Sequence, residues 1–119
     1  MRNNWKGQTM DEGENLTDRL RILLMDDPNI SEKKMFGGIC FLLNGNMLCG
    51  ITNKGDFMAR VGKELESEAR SRPHVRDMDF TGKPMKGFLF VAEEGLQTTE
   101  QLNDWIALCT RFVGTLPAK

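Results

Sequence analysis

Cys40, Cys49, Cys109 and His74 are the side chains whose types could carry nucleophilic, redox or metal chemistry in this sequence. Two of the cysteines are related by a turn. Asn44-Gly45 stands between apolar runs at residues 39–43 and 47–52, a pattern that predicts a β-hairpin with both turn residues at φ > 0. In that register Leu43 faces Asn46, Leu42 faces Met47, Phe41 faces Leu48 and Cys40 faces Cys49. A non-hydrogen-bonded cross-strand pair brings Cα atoms to about 4.5 Å, the short edge of disulfide reach. Cys40 and Cys49 are therefore the candidate redox pair. The blander reading is two small apolar residues in a reducing core, and it is preferred because nothing adjacent lowers a thiol pKa. Cys109 reads as packing. His74 has no cysteines at zinc-ligand spacing around it, since Cys40 and Cys49 are not a C-x-x-C pair. No nucleophile signature surrounds any Ser or Cys, so no catalytic residue, metal or cofactor is expected, and the chain reads as a non-enzyme.

Charge is the second source of chemistry. Arg60, Lys63, Arg70, Arg72, His74, Arg76, Lys83 and Lys86 make the middle of the chain basic, while the flanks are acidic. Such a strip could hold phosphates or an acidic protein surface, and Arg60, Arg76, Lys83 and Lys86 are the candidate partner-binding residues. Interspersed Glu64, Glu66, Glu68, Asp77 and Asp79 also suit an ordinary solvated surface. The formal net charge of −1 disfavours wholesale polyanion binding, and few aromatic residues interleave the cations to stack bases. Direct nucleic-acid binding is thus the alternative rather than the leading reading. The glycines at 37–38 and 82–87 lack phosphate-loop spacing and read as turns. Eight methionines suit an adaptable surface or an irregular core.

The elements that must position these groups follow from periodicity. Leu16, Leu20, Leu23 and Leu24 recur at helical spacing until Asp27-Pro28. Residues 30–33 lead into the sheet, and Gly37-Gly38 signals a bulge or a close backbone approach. A second turn at residues 53–56 returns the chain into a strand at 57–61, and a short helix spans 63–71. An extended segment at 75–80, a turn at 81–84 and an interior strand at 87–91 follow. Thr98 and Gln101 form a capping box, after which Leu102, Trp105, Ile106, Cys109, Phe112, Val113 and Leu116 trace one helical face. The order α-β-β-β-α-β-β-α predicts an α+β, two-layer sandwich with an antiparallel sheet of about five strands. A hairpin apolar on both faces needs cover on both, by helices or by a second copy in a homodimer.

One domain suits 119 residues, with residues 1–13 a disordered tail and 14–119 the folded unit. No apolar run suggests a membrane span or signal peptide, and the odd cysteine count suits a reducing compartment, so a cytoplasmic location is expected.

Taken together, Lys34-Met35-Phe36-Gly37-Gly38, Asn44-Gly45-Asn46-Met47-Leu48-Cys49-Gly50, Arg60-Val61-Gly62 and the run from Met78-Asp79-Phe80 through Thr81-Gly82-Lys83-Pro84 to Met85-Lys86-Gly87 resemble the N-terminal domain of the TfoX/Sxy family. The resemblance covers residues 16–116, with the pieces in family order and spacing. It implies the α+β architecture already read from periodicity, and because the family's competence regulators carry a second, C-terminal domain while this chain stops at Lys119, a single-domain member is expected. It also implies kinship with bacterial regulators of natural competence, which assist a transcription factor at promoters. The partner expected on that basis is a protein, and the role regulatory. Some relatives carry an RNA-methyltransferase label, but no glycine-rich methyl-donor loop lies here between a strand and a helix.

Overall fold

Apolar residues at every third or fourth position decide which side of the sheet the helices cover. The computed structural model describes residues 12–24, 26–35, 37–79 and 84–119. The chain runs α1 (Glu12–Leu24), β1 (Ile30–Met35), β2 (Gly38–Leu43), β3 (Asn46–Ile51), β4 (Phe57–Arg60), α2 (Gly62–Arg70), β5 (Val75–Asp79), β6 (Pro84–Val91) and α3 (Thr99–Val113). The strands form one antiparallel sheet in the order β1-β2-β3-β4-β6-β5. Leu16, Leu20 and Leu24 of α1, Ala69 of α2 and Leu102, Trp105, Leu108, Cys109 and Val113 of α3 all join one buried cluster with the sheet. The architecture is α+β in two layers, with three helices on one face.

Six strands form where about five were expected. The addition is β1, whose residues Ser31, Glu32, Lys33 and Lys34 are all exposed. An edge strand with a polar centre carries no apolar alternation, and its charges discourage pairing with other chains. α1 begins at Glu12, and the expected tail at 1–13 otherwise lies outside the described residues. None of the described helices is long and apolar enough to cross a membrane.

The hairpin turn is as expected, with Asn44 at φ 53° and Gly45 at φ 84°. Its register is not. Leu43 faces Asn46 and Leu42 faces Met47, but Phe41 then faces Cys49, and Cys40 faces Gly50. Leu48 is the extra residue of a β-bulge, which shifts everything beyond it by one and reverses the faces. Leu48 and Cys49 consequently both enter the helix-side cluster, while Cys40 lies on the opposite face with Met58 and Phe90. The Cys40–Cys49 pairing is therefore corrected: the two thiols belong to different layers.

The glycine pair makes the close approach its sequence suggested. A Cβ on Gly38 would stand 1.9 Å from the Ile51 carbonyl oxygen, so only glycine lets β2 start there.

The face without helices carries its own register row. Lys33, Cys40, Gly50, Met58, Phe90 and Arg76 lie successively opposite one another across all six strands. A Cβ on Gly50 would sit 3.0 Å from Met58 Cε and 3.1 Å from Cys40 Sγ. Met58 and Cys40 thus close over the glycine, and both are buried.

Candidate functional site

The end of β4 turns into α2 within two residues, and that junction gathers cations. Val61 is buried and donates its N–H to the Gly87 carbonyl oxygen (2.8 Å), tying the junction to β6. Gly62 opens α2 at φ 74°. A Cβ there would lie 2.4 Å from Phe112 Cδ1, so the glycine admits the ring of α3 against the start of α2. Gly87, at φ 85°, brings its own backbone against Gly62, where a Cβ would lie 3.2 Å from the Gly62 Cα. Its N–H is held by Glu66 Oε1 at 2.7 Å.

Around this frame lies a pocket of about 400 Å³ whose lining includes Arg60, Lys63, Lys86, Phe88, Phe112 and Glu64. Arg60 faces Phe88 in the β4–β6 register. Its guanidinium carbon is 5.6 Å from the Phe88 ring centroid and 5.5 Å from that of Phe112. One nitrogen donates to the Met47 carbonyl oxygen at 3.3 Å. The head group is thereby held between two rings, a geometry favourable to the cation and to further hydrogen bonding. Val61, which precedes α2, provides no side-chain cap to the first-turn amides, and Glu64 is the acidic residue of that turn.

The structure brings two of the four expected binding residues, Arg60 and Lys86, into this pocket and adds Lys63. Arg76 is elsewhere: it pairs with Asp56 (2.9 Å) and lies over the Phe90 ring (4.6 Å). Lys83 lies outside the described residues. Phe88 and Phe112 were legible only as apolar residues of a strand and a helix. Their role as walls depends on Gly62 and Gly87, whose backbone conformations no periodicity reports.

Five other arginines differ in one respect from the pocket's cations, while Arg19 on α1 shares their lack of an ion pair among the described residues. Arg21 pairs with Glu32 and Asp18, Arg70 with Glu66, Arg72 with Asp104 and Glu68, and Arg111 with Glu68. Among the described residues, Arg60, Lys63 and Lys86 form no ion pair with a carboxylate.

The cysteines offer no comparable arrangement. Burial raises the Cys40 thiol above its ordinary value and pushes Cys109 up to about 12, against a smaller opposing effect from the Arg60 backbone. Cys49 is raised well above the ordinary range, first by burial and then by the neighbouring Cys109 and Cys40. His74 is exposed at φ 68° in the loop before β5, where its carbonyl oxygen accepts from Ala92 N–H (2.7 Å).

The family model of the TfoX N-terminal domain matches residues 23–113, most of the chain. The chain belongs to that family. A search of curated proteins finds no match. In this TfoX N-terminal domain the matched region takes in the six strands, α2, α3 and every residue of the pocket.

Proposed function

We propose that this TfoX N-terminal domain is a non-enzymatic interaction module of the cytoplasm, acting in regulation as competence regulators do. It docks an acidic or phosphorylated element of a protein partner at the junction of β4, α2 and β6. A transcription factor is the class of partner that kinship with those regulators suggests. The observation that carries this reading is the convergence of Arg60, Lys63 and Lys86 on an aromatic-walled pocket without a carboxylate partner, while five other arginines are paired. Unpaired cations beside apolar walls are suited to steering and orienting an anionic surface.

The test is affinity purification of partners from the native host with the wild type and with Lys63→Glu/Lys86→Glu. Both side chains are exposed, and an acid in the first turn of α2 suits the helix dipole, so the fold should persist. The charge-reversed protein should lose the partner, and wild-type recovery should fall with added salt. Equal recovery by both proteins would place the binding surface elsewhere.

A further inference from the structure

We propose that the pocket takes an anion carried on an apolar body, such as a phosphate or carboxylate attached to an aromatic ring. This deepens the reading above, on which it rests, by naming the chemistry that the cations and rings recognise together. The shared chemistry has two sources: a side chain of a partner segment, or a free small molecule.

The cavity of about 400 Å³ falls within the size range of small-ligand sites. Phe88 and Phe112 form apolar walls, and the Arg60 guanidinium spans them with most of its donors uncommitted after its contact with Met47. Lys63 and Lys86, both exposed, add two ammonium groups to the lining. A bare phosphate would satisfy the lysines and leave the rings uncovered. A neutral ring would cover the walls and leave three cations facing the single carboxylate of Glu64. Only a ligand with both parts meets both sets of groups. Glu64, the one carboxylate among the described lining residues, repels a second anionic group and so favours one charged end over a polyanion.

Amide chemical shifts of the full chain test this with three probes: inorganic phosphate, phenyl phosphate and phenol. Phenyl phosphate should give saturable shifts centred on Gly62, Lys63 and Gly87, and bind at least about tenfold tighter than inorganic phosphate. Phenol should bind more weakly still. Lys63→Ala/Lys86→Ala should weaken phenyl phosphate by about tenfold or more, since two charge-assisted contacts go. Phe88→Ala should erase the advantage over inorganic phosphate, with resonances remote from the pocket reporting that the fold is kept. Adding phenyl phosphate to the purified complex separates the sources. Release of the partner assigns the anion to the partner chain, and retention beside a filled pocket assigns it to a small molecule. Absence of saturable shifts, equal affinity for inorganic phosphate, or unchanged binding in the double variant would overturn the assignment. A partner lost on charge reversal despite such a result would leave the interaction reading standing without this ligand class.

Discussion

Cys49 and Cys109 sit in the helix-side core, where no water is available to stabilise a thiolate, and both titrate above the ordinary 9.0. Cys40 is also raised by burial, but it lies on the helix-free face, covered chiefly by side chains of its own sheet. An alkylating reagent at mild alkaline pH should therefore label Cys40 first and the other two only on unfolding, as mass spectrometry of timed samples would show. Rapid labelling of Cys109 would mean that α3 leaves the sheet easily. A neutral buried thiol stabilises the fold fully below the unfolded thiol's value of about 9.0, and its contribution is lost as pH rises through the folded value of about 12 for Cys109. The carboxylates give the opposite sign. Hydrogen bonds from Arg72 and Arg21 hold Asp104 below its ordinary 3.8 and Glu32 below its ordinary 4.5. Their contributions are present above those values and lost as pH falls through the lowered folded ones. Urea midpoints between about pH 5 and pH 2 should thus drop more steeply in the wild type than in Arg21→Ala/Arg72→Ala. The effect should be modest, because both pairs are partly exposed.

Elements differ in how plainly their residues announced them. α3 was legible almost completely, because its capping box and apolar stripe are local signals: Thr98 Oγ1 accepts from Gln101 N–H at 3.0 Å, and Gln101 Oε1 accepts from Thr98 N–H at 2.9 Å. Thr98→Ala should cost about 0.5–2 kcal/mol, measured by denaturant midpoint at constant m-value. The Asn44-Gly45 turn was equally local. The bulge at Leu48 was not, because it depends on how β3 meets both β2 and β4, and Leu48, Cys49 and Ile51 are apolar whichever way they face. Alternation loses its information when both faces of a strand are buried. Gly38 shows the tertiary origin of such features, since its constraint comes from the Ile51 carbonyl across the hairpin. Gly38→Ala should destabilise by about 1–3 kcal/mol through forced backbone shift. A neutral result would show that the β2–β3 contact yields without loss.

Across the whole molecule, the two sheet faces divide the labour between stability and binding. The helix-side cluster joins α1, α2 and α3 to nine buried residues of β2, β3, β4 and β6, whereas among the described residues the opposite face buries Cys40, Met58 and Phe90. α3 spans both roles. Its stripe suggested that Trp105, Ile106, Cys109, Phe112 and Val113 all pack onto the sheet. In the structure Trp105, Cys109 and Val113 are buried with Leu102 and Leu108, and Ile106 and Phe112, half-buried, pack against the same core from its margin. Helical periodicity reports a face but not its edges, and the edge is where Phe112 meets Gly62 and Arg60. The same limit explains the site: the basic residues were visible in the chain, but which of them lacked carboxylates depended on ion pairs between distant segments, such as Arg72–Asp104 and Arg111–Glu68. Paired truncations separate the two roles. Leu102→Ala removes a fully buried side chain from the centre of the core and should cost about 2–5 kcal/mol. Phe112→Ala takes away a half-exposed pocket wall, so it should cost less, while weakening partner recovery in the affinity experiment. Equal losses of stability would instead mean that Phe112 closes the core, with α3 seated deeper over α2 than its half-buried ring indicates.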